Sequence, residues 1–594
     1  MIASSLFPPA LILILGALPA VWLRGRTRQA WMLLLPVLSF FNMLALPEGH
    51  HFGIAFFDQE LVLARVDRLS FIFGVIFHLI ALIANLYALH VEDRVQNAAG
   101  LVYAGSAIGA VFAGDLLTLF VFWELMTLSA TFLIMARRNK RSLAAGFRYF
   151  MVHVLSGLCL LAGILLQVHE TGSVAYNYIG LGNLSSYLIF IGFGVNGAWP
   201  LLHFWLPDAY PEATVTGAVF LSAFTTKTAV YVLARAYPGT EILIWIGAAM
   251  AVFPIFYAVI ENDLRRVLAY SLINQVGFMM VGIGIGTELS LNGTVAHAFS
   301  HILYKALLFM SMGAVLYQTG KINATDLGGL YRSMPWTCTF CIIGAASISA
   351  FPLLSGFISK SMIITATGDG SLRLVWFMLL FASAGVFHHA GIKVPFFAFF
   401  SHDSGIRCEE APRHMLLAMG LAAAFCILIG IFPQALYSLL PHAVAYQPYD
   451  ASHVISQTQL LFFSALAFTL LLLAGVYPPE IRAVNIDADW VTRRGGAAFY
   501  RWADRTFNSL NTWADEMISR RMTQQLVTFF QRPGCNLRNQ GFELLTRFGG
   551  SEARLAEEKS RAERLCRNAA YPIGVGVLRA ALLMAVLTIL LILF

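Results

Sequence analysis

The sequence carries little charge for its length. Asp, Glu, Lys and Arg make up 12% of its 594 residues, and hydrophobic residues make up 58%. A soluble domain usually contains about 25% charged residues, so this composition excludes an ordinary soluble globular protein. A chain this apolar needs lipid as its solvent, and we expect an integral membrane protein.

Sequence motifs for binding nucleotides, haem or iron–sulfur clusters are also missing. The seven cysteines are scattered, and the one CxxC spacing, TCTFC at 337–341, has no second CxxC and no histidine pair beside it. We interpret it as structural, with a redox or metal site as the alternative. The sequence predicts no cofactor, no bound metal and no nucleic-acid partner. It also predicts no soluble catalytic domain, so the chain is not expected to be an enzyme by itself.

Long apolar runs follow one another along the chain. Each is long enough to cross a hydrocarbon core of about 30 Å, and together they predict an all-α integral membrane fold with about 14–16 transmembrane helices. The sixteen runs lie near residues 7–23, 30–46, 69–89, 99–113, 115–136, 147–167, 184–205, 213–236, 241–260, 267–287, 292–316, 336–357, 374–400, 414–437, 458–476 and 572–594.

Basic residues cluster in loops on one side of this arrangement. RGRTR (24–28) and RRNKR (137–141) fall on the same side as the loop containing Arg265 and Arg266. Basic loops of membrane proteins tend to stay in the cytoplasm. We therefore expect a multi-pass protein of the cell inner membrane with both termini on the outer side.

The composition changes after residue 477, and 481–569 is rich in arginine and acidic residues. Apolar residues recur at helical spacing within 499–530, which predicts an amphipathic helix lying along a membrane surface or a partner; a solvated tail is the alternative. RPGC (532–535) is expected to break this helix. A second, strongly charged helix is predicted at 549–565, and the last apolar run predicts an anchoring transmembrane helix.

Several titratable side chains lie inside the apolar runs. A charged residue at the centre of a bilayer costs about 2.5–3.5 kcal/mol, so such residues are candidates for function, with a staple between helices as the alternative for each. Asp115 and Lys360 lie nearer the ends of runs and are expected to reach the interface. The candidates are Glu124, Lys227, His297, His301, Lys305 and Lys393.

The sequence HAFSHILYK places His297, His301 and Lys305, here called the 297–305 row, on one helix face. Such a row can pass a proton between its members through intervening water. Histidine suits this role because it titrates near neutrality, and burial helps a lysine to release its proton. Glu124 is expected to be the counter-charge that tunes Lys227.

Two segments look like broken helices. The first, at 199–217, carries three prolines with Asp208 and Glu212, and the second, at 349–360, carries Pro352 and Gly356. Irregular backbone at membrane depth is tolerated where it is buried in protein or lines a wet cavity. Both segments therefore favour transport.

Several motifs occur in a familiar order: FVFWELMTLSATFLI, PLLHFWLPDAYPEATV with TTKTAVY, NDLRRVLAYSLINQVGFM, HAFSHILYKALLF and SGFISK. Over roughly residues 65–435, the chain resembles the antiporter-like membrane subunits. That family includes the D and A subunits of Mrp-type cation/proton antiporters, the proton-pumping membrane subunits of respiratory complex I, and their equivalents in membrane-bound hydrogenases.

The resemblance implies two inverted five-helix repeats, each a half-channel, joined by a hydrophilic axis at mid-membrane. It makes Glu124 the acidic partner, Lys227 the connecting lysine, the 297–305 row the central relay, and Lys393 the terminal group. It also implies that the tail is a lateral helix with a final anchor. One departure is Asn196, which stands where the family usually has a lysine that pairs with the glutamate.

The predicted organisation has five parts: N-terminal helices (1–98), the antiporter-like core (99–400), further core helices (401–480), the lateral segment (481–569) and the anchor (570–594). We expect a proton-translocating subunit that works with other membrane subunits in the lipid bilayer and exchanges protons for Na⁺ or another monovalent cation. One alternative is a proton channel that energises a redox complex, such as an NADH:quinone oxidoreductase-like translocase, or an inorganic-carbon uptake complex. The other is a non-conducting scaffold.

Overall fold

The computed structural model describes residues 7–368, 372–483, 485–531, 533–547, 552–567 and 573–593. Apart from one two-stranded hairpin, the regular structure of these residues is helical, and eleven of the described helices are long and apolar enough to cross a membrane. Three shorter apolar helices accompany them. The predicted all-α, multi-pass membrane fold is confirmed.

The chain forms two compact units, one up to Asp489 and one from Trp490. The elements that lie in the first unit are α1 Pro9–Trp22, α2 Gly25–Leu44, β1 Gly49–Phe56, β2 Gln59–Val66, α3 Arg68–Tyr87, α4 Arg94–Phe112, α5 Leu116–Met135, α6 Lys140–Thr171, α7 Leu184–Asn196, α8 Trp205–Ala209, α9 Gly217–Ala223, α10 Thr225–Ala236, α11 Ile242–Ile260, α12 Leu264–Ile285, α13 Glu288–Thr319, α14 Pro335–Ile348, α15 Ser355–Gly368, α16 Arg373–Val386, α17 Arg413–Ile431, α18 Pro433–Tyr437 and α19 Ala451–Leu473.

Acidic and amide side chains begin many of these helices. Asp115 begins α5, because its carboxylate accepts hydrogen bonds from the backbone N–H of Thr118 (2.8 Å) and of Val62 (2.7 Å). An N-cap of this kind satisfies backbone donors that have no partner inside the helix. The expectation that Asp115 reaches the interface is therefore wrong, since its side chain is buried at a helix start.

The first unit contains two similar sets of helices. Helices α4, α5 and α6 have 19, 20 and 32 residues, and α11, α12 and α13 follow at a constant interval along the chain with 19, 22 and 32 residues. Counted from α4, five apolar segments that can each cross the membrane come before α11. They are α4, α5, α6, α7 and the pair α9–α10. Because successive spans cross in opposite directions, an odd number of crossings inverts the second set relative to the first.

The same backbone break follows each set, after α7 in the first case and after α14 in the second. In AWPLL (198–202), Ala198 and Leu201 have φ of 57° and 69°, and in AFPLL (350–354), Ala350 and Leu353 have φ of 60° and 70°. Positive φ is uncommon for residues other than glycine, so its recurrence at matching positions supports two related repeats. The break also corrects one prediction: the run at 336–357 is not one helix, because α14 ends at Ile348 and α15 begins at Ser355.

The hairpin of β1 and β2 lies between α2 and α3 and was not expected from the sequence. The strands are antiparallel, and Gly49 pairs with Val66. After α16, π-helical turns cover Phe387–Lys393 and Phe396–Phe400, a geometry that often marks functional positions.

The second unit is helical in its described part. Its elements are α20 Ala488–Ala514, whose first two residues close the first unit, a π-helical segment Asp515–Met522, α21 Thr523–Gln531, α22 Pro533–Arg547, α23 Glu552–Arg567 and α24 Ile573–Leu593. The helices predicted at 499–530, 549–565 and 572–594 are therefore present, with 532, 548–551, 568–572 and 594 outside the described residues. Apolar side chains such as Phe499, Trp502 and Trp513 are exposed within this unit.

Candidate functional site

The 297–305 row lies on α13, which packs against α12, α14, α15 and α17. All three side chains of the row are fully buried. The ring centroids of His297 and His301 are 6.3 Å apart, and Tyr304 lies beside both rings. The helix therefore presents three titratable groups in succession inside the helix bundle.

Polar side chains from neighbouring helices meet this row. Nδ1 of His297 lies 3.1 Å from the Ser359 hydroxyl on α15, and Nζ of Lys305 donates to the Ser271 hydroxyl on α12 at 2.9 Å. Neither ring nitrogen of His301 has a hydrogen-bond partner among the described residues. Buried polar atoms in proteins normally have a partner, so the two ring nitrogens of His301 are unusual inside this bundle.

Lys227 connects the first repeat to the row. It follows the break between α9 and α10 at Phe224, and its Nζ donates to the backbone carbonyl of Ser222 at 2.5 Å. The side chain is fully buried, and its charge acts on both His301 and Lys305. A helix break frees backbone carbonyls, which explains how Lys227 is held here with no acidic partner among the described residues.

Lys360 belongs to the same set, although the sequence predicts a position near a helix end. The expectation that it reaches an interface is wrong, because the residue is 1% exposed. Its Nζ donates to the carbonyl of Ile348 at 2.9 Å, where α14 ends at the second break, and lies 5.3 Å from the centroid of the Phe278 ring. Its charge acts on His297. The AFPLL break places Lys360 inside the bundle rather than at an interface.

Lys393 ends the series in the second repeat. Its Nζ donates to the backbone carbonyls of Val259 at 2.6 Å and Glu261 at 2.8 Å, at the end of α11. His389, four residues earlier, interacts electrostatically with both Lys305 and Lys393. Buried titratable groups therefore occur from Lys227 in the first repeat to Lys393 in the second, and we call this set the polar axis. Its members are Lys227, His297, His301, Lys305, Lys360, His389 and Lys393.

Glu124 stands apart from the axis. The side chain on α5 is half-buried, and among the described residues it forms no ion pair with a cationic side chain. The structure thus shows no direct ion pair between Glu124 and Lys227, and the counter-charge role of Glu124 stays a prediction. Its carboxylate instead lies against Gly157 on α6, where an added Cβ would collide with it.

The first repeat has a glycine at the place where the second repeat has Lys305. Gly157 stands as far from the start of α6 as Lys305 does from the start of α13. Asn196, the departure seen in the sequence, accepts a hydrogen bond from the Ser156 hydroxyl at 3.2 Å. The Glu124 carboxylate therefore fills the space that an aliphatic side chain would need at position 157.

We expect Gly157→Ala to lower proton flux by about tenfold without changing any charge, because the new methyl group displaces the Glu124 carboxylate. The sequence predicts that this carboxylate is a counter-charge of the proton path, and small misplacements of such a group are costly. Flux in membrane vesicles, normalised to the amount of assembled protein, measures the effect. Gly146→Ala is the matched control, since its added methyl meets the flexible Met135 side chain on α5. Normal flux in both Gly157→Ala and Glu124→Gln would make Glu124 a packing residue.

The paired charges in the first broken segment are not part of the axis. Asp208 accepts two hydrogen bonds from Arg148, at 2.7 and 2.9 Å, and Glu212 lies 3.6 Å from Arg137. Bidentate pairing of this kind fixes geometry. In the described part of the chain, no group of three or more His, Cys, Asp or Glu side chains is arranged to hold a metal ion.

Comparison with known proteins agrees with this arrangement. Residues 113–387 match the family model described as NADH:quinone oxidoreductase/Mrp antiporter, TM. Hydrogenase-4 component B of Escherichia coli is 28% identical over 415 residues, which cover 62% of this chain and 62% of that protein. The Na⁺/H⁺ antiporter D-type subunit of Alkalihalophilus pseudofirmus is 32% identical over 278 residues, which cover 43% of this chain and 56% of that protein. The chain spans less than two thirds of the length of either relative.

The fold is also found in a solved structure. A chain of the Mrp complex from Dietzia sp. superimposes with a TM-score of 0.72 at 22% identity, covering 89% of this chain and 62% of that chain. At this level of identity the match shows the fold alone. The resemblance to the antiporter-like membrane subunits that the motifs predicted is confirmed.

Proposed function

We propose that the chain is a proton-translocating subunit of a multi-subunit membrane complex, and that it exchanges protons for Na⁺ or another monovalent cation. The observation that carries this proposal is the polar axis, which extends from Lys227 in the first repeat to Lys393 in the second. Titratable groups inside a membrane protein are expensive and mark ion or proton pathways. The similarity to the D-type subunit of the Alkalihalophilus pseudofirmus Na⁺/H⁺ antiporter supports the choice of coupling ion.

In this proposal each group of the axis holds or passes a proton. Lys227, Lys305, Lys360 and Lys393 exchange protons as ammonium and amine, because burial disfavours the charged form of a lysine. His297 and His301 accept and release protons at their ring nitrogens between these lysines. When one lysine takes up a proton, its positive charge favours loss of the proton from the next lysine. A proton that enters at one end of the axis therefore drives the release of a proton further along it.

A second candidate keeps the proton path and changes the partner. The similarity to hydrogenase-4 component B favours a complex in which a redox module, rather than a cation gradient, drives proton movement. Co-purification of a tagged chain from membranes distinguishes the two, since a redox module brings subunits that hold electron-transfer cofactors.

Reconstitution of the purified complex into liposomes tests the proposed exchange. We expect an imposed Na⁺ gradient to drive proton movement in the opposite direction, recorded with a pH-sensitive dye. Proton movement that depends on an electron donor but not on Na⁺ would favour the redox candidate. Absence of proton movement under either condition would leave the scaffold as the function.

We further propose that the protein resides in the cell inner membrane with both termini on the outer side, and that the helix containing 499–530 lies on the cytoplasmic side. The basic loops support this orientation. Ser519 is exposed on this helix. We expect Ser519→Cys to react with a membrane-impermeant thiol reagent in inside-out vesicles and not in intact cells. Labelling in intact cells alone would reverse the orientation.

A further inference from the structure

The residues after α19 pack back onto the helices of the first unit. We call residues 477–487 the C-terminal strap; Val484 lies outside the described residues. Arg482 forms an ion pair with Asp326, and its hydrogen bond holds the pKa of that carboxyl below the ordinary value. The side-chain amide of Asn485 donates to Glu261 at 3.2 Å. The strap is thus fixed by polar contacts near the end of α11.

The strap delivers a carboxylate to Lys393. Oε1 of Glu480 lies 2.9 Å from Nζ of Lys393, and the two side chains are 6% and 0% exposed. Glu480 is separated from Lys393 by 87 residues in the sequence, and it lies outside the helices that cross the membrane. The last group of the polar axis therefore has an acidic partner that no part of the core supplies.

A second acidic residue fixes the other end of the strap. The Asp487 carboxylate accepts a hydrogen bond from the Tyr270 hydroxyl on α12 at 2.7 Å and lies 3.1 Å from Nε2 of His203. His203 follows the AWPLL break and belongs to the first repeat. The strap is therefore attached to both repeats, which holds Glu480 in a defined position between the two attachments.

Hydrogen bonding alone does not explain Glu480. The ammonium of a lysine has three donors, and three carbonyl oxygens already surround Nζ of Lys393: those of Ala258 (3.3 Å), Val259 and Glu261. Among the described residues, the only polar contact of the Glu480 carboxylate is that of Oε1 with Nζ of Lys393 at 2.9 Å. Burial raises the pKa of the Glu480 carboxyl, and the charge of Lys393 opposes that shift. Lys393 therefore already has three hydrogen-bond acceptors, and what Glu480 adds beside it is a negative charge.

We propose that Glu480 is a positioning residue that sets the pH at which Lys393 releases its proton, so that the C-terminal strap controls the last step of the proton path. This inference rests on the proposed proton translocation. An opposite charge this close favours the charged form of a lysine, and its removal makes proton release easier. The strap thereby determines whether the end of the axis holds a proton or passes it on.

Other titratable groups face this pair either directly or through one neighbouring group, and all of them stay unchanged in the test. They come from the end of α11, the start of α12, the π-helical turns, α13 and the strap itself. They are Glu261, Arg266, His388, His389, Lys305 and Tyr477.

The test is the pH dependence of proton flux in liposomes that contain the whole complex. For Glu480→Gln we expect the profile to move to lower pH by about one unit or more, because an opposite charge within about 4–6 Å is worth 1–3 pKa units. Glu480→Asp keeps the carboxylate on a shorter side chain, so its profile is expected between those of the wild type and Glu480→Gln. Glu409→Gln is the matched control, since it makes the same change of charge at an exposed residue of the loop before α17, outside the strap.

Each outcome is decisive. A wild-type profile for assembled Glu480→Gln overturns the inference, and so does a shift of equal size in Glu409→Gln. If Glu480→Gln does not assemble, Glu480→Asp decides, and an unshifted profile there overturns the inference. If the wild-type complex moves protons and the Glu480 variants have the wild-type pH profile, this inference is wrong and the proposed function still stands. A wild-type complex that moves no protons overturns both.

Discussion

Lys305→Ala is expected to abolish proton flux while the complex still assembles. The ammonium of Lys305 lies at the centre of the polar axis, where it donates to Ser271 and to the carbonyl of Leu268. Loss of a proton-transfer group typically costs about 10²–10⁴-fold in rate, so we expect flux to fall by at least about 100-fold. Flux in membrane vesicles is measured together with the amount of assembled protein.

Lys305→Arg is expected to fail as well, because an arginine side chain stays protonated at any working pH. A staple between helices predicts the opposite pattern: arginine is tolerated, and alanine lowers the amount of folded protein. Lys321→Ala is the matched control, since Lys321 is exposed just after the end of the same helix. Full flux in Lys305→Arg would contradict the relay.

Lys360→Met is expected to have an effect of similar size, about 100-fold in flux. Lys360 adjoins His297, and its removal interrupts the axis at the second break. Methionine matches the length of the lysine stem and removes the charge, and replacing a buried charge by an apolar side chain need not destabilise the fold. Flux and assembled protein are measured as for Lys305.

The variant Lys360→Arg distinguishes a structural role of Lys360 from a role in the relay. If the side chain only satisfies the carbonyl of Ile348, then Lys360→Arg keeps that hydrogen bond and keeps full flux. In the relay, Lys360→Arg loses flux because it does not release its proton. A complex with normal flux in Lys360→Met would remove Lys360 from the axis.

The sequence predicts the parts of the site that depend on local spacing. His297, His301 and Lys305 lie on one face because they are four residues apart on a helix, and the structure places all three in the buried interior. Lys227 and Lys393 stand out in the sequence because each lies within an apolar run. These conclusions need no knowledge of which helices are neighbours.

The parts that escape prediction depend on where helices stop and on contacts between distant residues. Lys360 resembles an end residue in the sequence because the proline and the glycine at 349–360 indicate a break but do not show that a second buried helix, α15, begins there. Glu480 resembles part of a solvated tail, since nothing near it in sequence is basic and buried. Whether Glu124 and Lys227 form an ion pair likewise depends on how their helices pack. The sequence shows that both residues lie in apolar runs, but it does not show the distance between them.

Proton movement through the purified complex in liposomes tests the central claim, that the polar axis conducts protons, most directly. A K⁺ diffusion potential is imposed, and the internal pH is recorded for complexes with the wild-type chain and with Lys305→Ala at equal protein content. The account predicts potential-driven proton movement in the wild type that falls to the level of empty liposomes in Lys305→Ala, with the subunit composition unchanged. Equal proton movement through both complexes would contradict it.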